Sequence, residues 1–421
     1  MIAHDETEVL VVGAGPVGML TALLLADGGI KVRIIDEEWR TGTHSYACAL
    51  HRRTLKLLDR LGLAQPVLAR GRRLDSVGIF DEATRLGEMR LAPDGDGFPL
   101  AVVLPQSGLE ELLEQRLNQQ YGVAIDWNHR LSRLEQQGSA VTATIDRLAG
   151  TATGYIIPRW ELVVKKTYQI RPAFVVGADG HESQVRHNVG IGYAQVGRAE
   201  AFGVYELELD GELEPEQRVV LSAAAGSFLW PLAGKGCRWS FQMLPVEPGD
   251  GFPEKERRPW RFHDEAIDRV TKERVQELIG ARAPWFTRKV EEVGWSVAVA
   301  FERRLATEFG RGRCWLAGDA AHQTSPAGMQ SMNVGLCEAA DLAGTIIKVL
   351  RQDAPLESLQ DYNQQRQEEW HHLLGLKGEV RPRQAGGQWT KERCDRLLPC
   401  VPASGENLST LLKSVGLEWL Q

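Results

Sequence analysis

The stretch Val9-Leu10-Val11-Val12-Gly13-Ala14-Gly15-Pro16-Val17-Gly18 decides the fold of this chain. Its four leading apolar residues predict a short buried strand, and the residues that follow predict a helix over 17–27. Gly13 permits the tight turn between them, Gly15 leaves room for a phosphate beside the backbone, and Gly18 allows close contact between helix and strand. With Pro16 at the start of the helix, the pattern predicts a βαβ unit whose helix N-terminus faces a phosphate group.

An acidic residue closes the second strand of this unit. The strand is predicted over residues 31–36, and Asp36 follows Gly18 at the spacing of roughly 20 residues that brings a carboxylate beside ribose hydroxyls. Strand, glycine turn, helix and acid together predict that the chain binds a dinucleotide. The turn by itself does not distinguish NAD from FAD.

The bulk composition excludes several classes of protein. The chain has 421 residues and a net charge of −7, so no basic field is available to bind nucleic acid. Its six cysteines include no CxxC pair and no metal-site spacing is present, so we expect no bound metal. No signal peptide is recognisable, and the apolar stretch 19–26 is too short to span a bilayer. We therefore expect a cytoplasmic protein without membrane insertion.

The rest of the sequence predicts an α/β protein with α+β elements. A Rossmann-type domain comes first, strand-like runs between residues 190 and 299 predict an inserted antiparallel sheet that binds the substrate, and polar residues beyond 356 predict a helical C-terminus. A long helix is predicted from about residue 333 to residue 351. The predicted domains are 1–74, 101–190 and 296–352 for nucleotide binding, 75–100 and 191–295 for substrate binding, and 353–421 for the C-terminal helical segment.

Aromatic residues and one histidine leave alternatives open. The tryptophans of the antiparallel part either form a face for an apolar ligand or belong to a packed core. His322 either contacts a ligand or packs in the interior or at the surface, and the packed role is the more common one. The tryptophans in question are Trp230, Trp239, Trp260, Trp285 and Trp295.

Two further motifs carry a family resemblance. The segment Phe174-Val175-Val176-Gly177-Ala178-Asp179-Gly180, closed by Arg186, resembles the DG motif of flavin-dependent aromatic hydroxylases. The segment Cys314-Trp315-Leu316-Ala317-Gly318-Asp319, continued as far as Asn333, resembles their GD motif. With the N-terminal glycine turn these motifs form three ordered signatures. The chain therefore resembles the class A flavoprotein monooxygenases, the para-hydroxybenzoate hydroxylase-like family.

The resemblance implies FAD as the cofactor and suggests roles for several residues. Asp319 would meet the ribityl hydroxyls, Gly328 would let the backbone approach the flat flavin ring, and helix amides near Asn333 would stabilise negative charge on the reduced ring. Asp179 and Gly180 would hold the loop at the pyrophosphate and at the entry of NAD(P)H. The predicted cofactor-binding residues are Gly13, Gly15, Pro16, Gly18, Asp36, Gln106, Asp179, Gly180, Arg186, Gly318, Asp319, Pro326, Gly328 and Asn333.

The reaction that the family implies is a monooxygenation. NAD(P)H reduces FAD, the reduced flavin reacts with O2 to a C4a-hydroperoxide, and one oxygen atom passes to a small aromatic or polyketide-like substrate. Because the cofactor performs this chemistry, no catalytic side chain is predicted. Two alternatives remain open, namely a flavin-dependent reductase or dehydrogenase on the same fold, and a non-catalytic FAD-binding protein. The sequence specifies neither the substrate nor the oligomeric state, and it does not select NADH or NADPH.

The sequence departs from the family pattern in four places. Tyr46 stands where an arginine is common. Met329 and Ser331 stand where glycines are common, so we expect a tighter ring pocket. Glu338 and Asp341 replace the usual Asp and Asn of the following helix. The chain ends at residue 421, so we expect no thioredoxin-like extension of the kind found in phenol-hydroxylase relatives.

Overall fold

The structure, a computed structural model, describes residues 7–40, 47–90, 97–138, 140–153, 159–222, 225–243, 271–383 and 388–420. The strands are β1 (Val9–Val12), β2 (Val32–Ile35), β3 (Ala49–His51), β4 (Arg72–Leu74), β5 (Ser76–Asp81), β6 (Thr84–Met89), β7 (Ala101–Val103), β8 (Ile125–Asp126), β9 (His129–Gln137), β10 (Ala140–Thr153), β11 (Arg159–Ile170), β12 (Phe174–Gly177), β13 (Tyr193–Gln195), β14 (Glu200–Leu209), β15 (Glu216–Leu221), β16 (Gly226–Pro231), β17 (Gly236–Gln242), β18 (Val290–Phe301), β19 (Arg304–Ala306), β20 (Gly310–Arg311), β21 (Cys314–Leu316), β22 (His322–Gln323), β23 (Glu379–Pro382) and β24 (Leu417–Leu420). The helices are α1 (Pro16–Asp27), α2 (Arg52–Arg60), α3 (Ala64–Arg70), α4 (Gln106–Tyr121), α5 (Gln184–Val189), α6 (Lys272–Arg282), α7 (Gln330–Arg351), α8 (Ser358–Leu373), α9 (Gln388–Leu397) and α10 (Gly405–Ser414). Short 3-10 helices span Gly318–Ala320 and Leu398–Cys400.

A six-stranded sheet carries the first motif. Its strand order is β20-β21-β12-β1-β2-β8, and the five strands from β21 to β8 run parallel. All four residues of β1 are buried at the centre, as expected for a strand covered on both faces. Because the strands are parallel, the loops after β1, β2, β12 and β21 leave from the same edge of the sheet. In open α/β sheets this carboxyl edge is where ligands bind.

Helix α1 packs against α7 and α4 beside this sheet. Pro16 occupies its first turn, where a missing amide hydrogen costs no helical hydrogen bond. The helix ends at Asp27 because two glycines follow, and Gly29 adopts the left-handed φ of +72°. The helix N-terminus therefore points at the carboxyl edge of the sheet.

A seven-stranded sheet has the order β18-β14-β17-β16-β15-β5-β6. All neighbours pair antiparallel except β15 and β5, which run parallel. One face is covered by α6 and buries Trp239, Phe241 and Phe286. The opposite face buries Phe202, Val219 and other residues together with the core of the parallel sheet. The second face is therefore the one that meets the nucleotide-binding part.

The C-terminal residues are mainly helical, as predicted, and add one feature that the sequence did not indicate. Strands β23 and β24 pair antiparallel, from Glu379 opposite Leu420 to Pro382 opposite Leu417. The residues between them form α9, a 3-10 turn and α10. The 3-10 turn packs against Gly328, which brings the C-terminal segment onto the predicted site.

The predicted fold class is confirmed, with shifted boundaries for some elements. The long helix α7 starts at Gln330, three residues before the predicted start. The domain boundaries stay a prediction; the seven-stranded sheet takes its strands from β5–β6 and β14–β18, and the last of them runs on to Phe301. Throughout the described ranges, no helix has the length and apolar character needed to cross a membrane.

Candidate cofactor and substrate site

The turn after β1 contains three glycines: a side chain would clash with the backbone at two of them and would have free space at the third. Gly13 has φ +99°, and a Cβ on it would lie 2.2 Å from the Ala178 carbonyl oxygen. A Cβ on Gly18 would lie 1.9 Å from the Gly13 carbonyl oxygen. A Cβ on Gly15 would meet no atom within 4 Å. Two of the glycines therefore serve the packing of the turn, and Gly15 faces free space in which a phosphate could approach the backbone.

Asp36 closes the turn from the neighbouring strand. Its Oδ2 accepts a hydrogen bond from the Ala14 amide at 2.6 Å, and its Oδ1 accepts one from the Glu38 amide at 2.8 Å. A carboxylate has about four acceptor positions, so two remain for a hydroxyl donor. The structure thus places Asp36 directly at the glycine turn, as the spacing predicted.

Gln106 bonds to Glu110, a carboxyl that interacts with the charge of Asp36. Gln106 is the first residue of α4, and its Nε2 donates to Glu110 Oε1 at 2.7 Å. Burial raises the pKa of Glu110 to about 7 against the hydrogen bond from Gln106, and the Asp36 charge adds to the rise. Glu110 has no sequence signature, since it occupies an ordinary helical position one turn after Gln106.

Asp179 caps a helix instead of pointing at open space. Its carboxylate accepts hydrogen bonds from Ser183 Oγ at 2.6 Å and from the amides of Gln184 and Val185 at 2.7 and 3.1 Å. Burial raises the pKa of Asp179 despite these bonds. Gly180 beside it has φ +72° and open space at its Cβ position. This arrangement holds the loop after β12 in shape at the sheet edge.

Arg186 joins the two family motifs. Its Nη1 donates to the Ala320 carbonyl at 2.7 Å and its Nη2 to the His181 carbonyl at 2.6 Å. The guanidinium also lies 3.9 Å from the centroid of the Tyr193 ring. Burial lowers the pKa of Arg186, but an arginine stays charged at any physiological pH. The loops after β12 and β21 are therefore clamped to each other through one side chain.

The loop after β21 exposes a carboxylate at the same edge. Gly318 adopts φ +66° and Asp319 follows it, with its side chain exposed to solvent. Ser331 Oγ, from the first turn of α7, donates to Asp319 Oδ1 at 2.6 Å. The hydroxyl that replaces a family glycine therefore occupies one oxygen of the predicted flavin ligand.

A buried carboxylate supports this loop from below. Glu338 is fully buried and accepts hydrogen bonds from the Gly318 amide at 2.8 Å, His322 Nε2 at 2.8 Å and Trp370 Nε1 at 2.7 Å. Burial raises the pKa of Glu338, but His322 and the other partners outweigh it and hold the pKa below its usual value. His322 stacks on Trp370 at a centroid distance of 3.7 Å and is fully buried. His322 therefore takes the packed role.

The segment from Pro326 to Met329 leads into α7. Pro326 is buried, and its carbonyl accepts from the Met329 amide at 3.3 Å. Met329 caps α7 with φ +54°, a left-handed conformation that favours glycine. Its side chain is buried with Cys48 and Trp230, among others. The glycine common in the family thus corresponds to a real backbone requirement, which this chain meets with a methionine.

Gly328 packs against the C-terminal 3-10 turn, and its predicted contact with the flavin ring stays a prediction. A Cβ on Gly328 would lie 2.6 Å from the Pro399 carbonyl oxygen and 2.7 Å from the Val401 carbonyl oxygen. Close packing of the C-terminal 3-10 turn is therefore sufficient reason for glycine at this position. A flat ring is not needed to account for it.

The side chain of Asn333 is occupied within the protein. Its Oδ1 accepts from the His51 amide at 2.7 Å and from Thr54 Oγ1 at 2.8 Å, and its Nδ2 donates to the carbonyls of Ala49 and Met329 at 2.9 and 2.8 Å. It fastens the β3–α2 junction to α7. Because α7 starts at Gln330, the free helix amides lie in the turn just before Asn333, near the predicted position.

His51 brings a buried acceptor to the same junction. Its Nε2 lies 2.8 Å from the Gly328 carbonyl oxygen, which requires the hydrogen on Nε2 and leaves Nδ1 as an acceptor. Nδ1 is buried and has no hydrogen-bond partner within the described ranges. Burial lowers the pKa of His51 to about 3, so the ring is neutral.

A polar row crosses the face of the seven-stranded sheet that meets this segment. Glu206 pairs with Arg238, and Arg238 pairs with Trp230 in the strand register. The register that sets Arg218 opposite Leu229 sets Gln217 opposite Trp230. Gln217 Nε2 donates to the Ala327 carbonyl at 3.1 Å, which ties the row to the segment before α7. Sequence reasoning missed this row because its members share no motif.

The row contains two buried polar atoms without a partner. Trp230 Nε1 is a donor and Gln217 Oε1 is an acceptor, and neither has a hydrogen-bond partner among the residues described. Arg238 is ion-paired to Glu206 and only 2% exposed, so the row carries no net charge. Such atoms cost free energy unless a ligand or water satisfies them.

The tryptophans divide between the two alternatives. Trp239 and Trp285 pack on the α6 side with Phe286, which makes them core residues. Of these tryptophans, Trp230 is fully buried and packs with Met329, at the segment before α7. Trp295 is partly buried against the main core. Trp260 and Tyr46 lie outside the described residues.

Comparisons with known proteins agree with the sequence motifs. The family model described as an FAD binding domain matches residues 6–374. The chain is 30% identical over 379 residues to the 6-methylpretetramide 4-monooxygenase of Streptomyces rimosus, covering 86% of this chain and 59% of that protein. It is 29% identical over 372 residues to the para-nitrophenol 4-monooxygenase of Pseudomonas sp. strain WBC-3, covering 84% of this chain and 81% of that protein.

A solved structure matches over most of the chain. The crystal structure of aklavinone-11 hydroxylase in complex with FAD and aklavinone superposes with a TM-score of 0.64 at 25% identity, covering 89% of this chain and 68% of that chain.

Proposed function

Since the chain belongs to the family of class A, FAD-dependent aromatic-ring hydroxylases, we propose that it is an FAD-dependent, NAD(P)H-consuming monooxygenase of a small aromatic or polyketide-like molecule. The observation that carries this proposal is the meeting of four loops at one edge of the parallel sheet. They bring the Gly15 turn, Asp36, the Asp179 loop and Asp319 to the carboxyl ends of neighbouring strands.

The residues at this edge fit FAD. The open space at Gly15 and the N-terminus of α1 would take the pyrophosphate, and Asp36 has acceptor capacity for ribose hydroxyls. The exposed Asp319 carboxylate, next to Ser331, would accept from the ribityl chain. When bound, FAD would accept a hydride from NAD(P)H and activate O2. The protein contributes binding, orientation and exclusion of water.

The polar row offers a place for the substrate. Trp230 has an unpartnered indole N–H and Gln217 an unpartnered amide oxygen, and the two residues contact the same segment, Gln217 at Ala327 and Trp230 at Met329. A hydroxyl or carbonyl oxygen of the substrate would accept from Trp230, and a hydroxyl would donate to Gln217. Because Arg238 is already neutralised by Glu206, the row favours an uncharged hydroxylated ring over a carboxylate.

The experiment begins with the visible spectrum of the purified protein after addition of FAD. NADPH and then NADH are added in air and under argon, with a panel of phenols and polycyclic hydroxyaromatics. We expect substrate-stimulated oxidation of the pyridine nucleotide in air and a product that carries one atom from 18O2. Substrate-dependent turnover under argon would favour the reductase alternative. A flavin that neither nucleotide reduces with any ligand would favour the non-catalytic alternative.

Two tryptophan variants test the substrate row. Trp230→Phe removes one hydrogen bond worth about 1 kcal/mol, so we expect KM for a hydroxylated substrate to rise roughly fivefold with unchanged FAD affinity. Trp239→Phe is the matched control, because Trp239 also has a buried N–H without a partner but lies on the α6 face. Equal effects of the two variants on KM would place the substrate elsewhere.

A further inference from the structure

One buried histidine has only half of its hydrogen-bonding capacity in use. His51 ends β3, is 1% exposed, and donates from Nε2 to the Gly328 carbonyl oxygen at 2.8 Å. Its Nδ1 is therefore an acceptor, and no donor reaches this buried atom from the described residues. His322, which is equally buried, differs, because Nε2 lies 2.8 Å from Glu338 Oε2 and Nδ1 lies 3.4 Å from Ser331 Oγ. An unmade bond of this kind costs free energy unless a bound molecule supplies the donor.

The surrounding structure holds the His51 ring in place. The His51 amide donates to Asn333 Oδ1 at 2.7 Å, and Asn333 Nδ2 donates to the carbonyls of Ala49 and Met329 at 2.9 and 2.8 Å. The backbone and the ring of His51 are thus tied to α7 and to the segment before it. A flip of the ring that turned Nδ1 toward another group would break the Nε2 bond to Gly328.

Protonation does not remove the need for a donor. Burial lowers the pKa of His51 to about 3, so the ring is neutral and Nδ1 stays an acceptor at physiological pH. A molecule that satisfies Nδ1 must therefore supply an N–H or an O–H. An ionised phosphate or carboxylate has no hydrogen to donate, which excludes these groups as partners of His51.

The start of α7 offers the complementary kind of group. This helix of 22 residues begins at Gln330, and the first amides of a helix have no acceptor within it. Both residues that His51 bonds, Gly328 and Asn333, flank this start and belong to the predicted cofactor-binding residues. Amide donors and one neutral acceptor are therefore available at the part of the site predicted to contact the flavin ring.

We propose that His51 Nδ1 accepts a hydrogen bond from the N3–H group of the flavin ring of FAD. This assignment rests on the proposed function, which makes FAD the cofactor. One edge of the oxidised ring carries a carbonyl, N3–H and a second carbonyl in that order, and N3–H is the only N–H of the ring. The amides at the start of α7 suit the carbonyl oxygens, and Nδ1 suits the N–H between them. His51 thereby orients the ring as well as binding it.

Two substitutions separate the acceptor from the contact with Gly328. A glutamine amide nitrogen can replace Nε2, so His51→Gln keeps the bond to Gly328 and loses the acceptor at Nδ1. An asparagine amide oxygen can replace Nδ1, so His51→Asn keeps the acceptor and loses the bond to Gly328.

The two variants are compared by FAD binding to the apoprotein, measured by flavin fluorescence, and by urea unfolding. We expect His51→Gln to weaken FAD binding about fivefold or more, the value of one hydrogen bond. His51→Asn should bind FAD more tightly than His51→Gln although it unfolds at a lower urea concentration. If FAD affinity instead falls in the same order as stability, His51 has only a structural role and the assignment is wrong.

15N NMR of protein labelled at histidine observes the acceptor directly. The Nδ1 signal of His51, assigned by its loss in His51→Gln, should move toward the position of a hydrogen-bonded nitrogen when FAD is added. His372 is the matched control, since its Nε2 is also buried without a partner among the described residues but its ring lies against Trp419 at the end of α8. Its signal should not move.

The remaining outcomes separate this assignment from the proposed function. A His51 signal that moves only when a phenol is added to the FAD complex would give Nδ1 to the substrate and overturn the contact with N3–H. A protein that binds FAD while the His51 signal stays unmoved would overturn the assignment and leave the proposed function intact. A protein that takes up no FAD would refute both.

Discussion

Replacing Met329 by glycine sets two effects of opposite sign against each other. Met329 caps α7 in the left-handed region, with φ +54°. Its side chain is also 4% exposed and packs with Cys48, Ala49 and Trp230. Glycine would release the backbone strain and lose the packing, so the magnitudes decide the outcome.

The free energy lost with the packing should exceed the free energy gained from the released strain. A left-handed conformation costs a residue other than glycine about 1–2 kcal/mol. Truncation of a buried methionine to alanine costs roughly 2–5 kcal/mol. Glycine adds an entropic cost of about 0.5–1 kcal/mol in the unfolded chain. We therefore expect Met329→Gly to destabilise the protein by roughly 0.5–5 kcal/mol.

The comparison with alanine isolates the strain. Met329→Ala loses the same packing and keeps the left-handed backbone, so glycine should be as stable as alanine at this position or more stable by up to about 1.5 kcal/mol. Ala339→Gly, in the interior of the same helix, is the matched control and should lose at least about 1 kcal/mol, because its buried methyl group is lost as well. Met329→Leu keeps the volume and should cost less than about 1.5 kcal/mol. The measurement is urea unfolding of the apoprotein, followed by tryptophan fluorescence.

Two results would refute this reasoning. If Met329→Gly unfolds at a higher urea concentration than the native chain, the methionine side chain does not contribute the packing described. If Met329→Gly is less stable than Met329→Ala by the margin seen for Ala339→Gly, the backbone at position 329 is not left-handed.

Three further predictions concern the cofactor edge. Gly15→Ala should leave the stability of the apoprotein unchanged and weaken FAD binding, which is measured by flavin fluorescence. Gly13→Ala should destabilise the apoprotein itself, because its Cβ would collide with the backbone. Equal losses of stability in the two variants would contradict this prediction. Asp319→Ala should weaken FAD binding by about tenfold or more, the value of a hydrogen bond to a charged group, and Asp361→Ala, exposed on α8, should not. The folded-state pKa of Glu110 is raised to about 7 from the ordinary 4.5, so its protonated form stabilises the fold at low pH and this stabilisation is lost as pH rises from 4.5 to 7. In urea titrations, the free energy of unfolding of the native chain should therefore fall by up to roughly 3 kcal/mol over that interval relative to that of Glu110→Gln. If the two proteins show parallel pH profiles, Glu110 does not titrate in this interval.

Local sequence was sufficient for the nucleotide-binding half of the site. The turn from Gly13 to Gly18 and the acid at Asp36 were predicted with their strand and helix, and the structure brings them together as expected. These features depend on glycine conformation and on the alternation of a short apolar strand with a helix. Both are properties of a few neighbouring residues, which is why a motif can report them.

Long-range packing determined the half of the site that is predicted to contact the flavin ring. Gly328 was predicted for a flat ring and is required by the C-terminal turn at Pro399, about seventy positions later. Free helix amides were predicted near Asn333, and the structure adds that the Asn333 side chain fastens α7 to His51. The start of α7 shifted because Met329 adopts a left-handed conformation that a methionine does not announce.

The sequence by itself determined the fold class, the family, the dinucleotide edge and the order of the three motifs, since each is encoded in contiguous residues whose conformational preferences are local. Only the tertiary structure decided which groups meet across the chain. Glu338 gathers Gly318, His322 and Trp370 through helix packing. Gln217 comes beside Trp230 through strand register. Packing and register are set by the whole core, so no short stretch of sequence contains them.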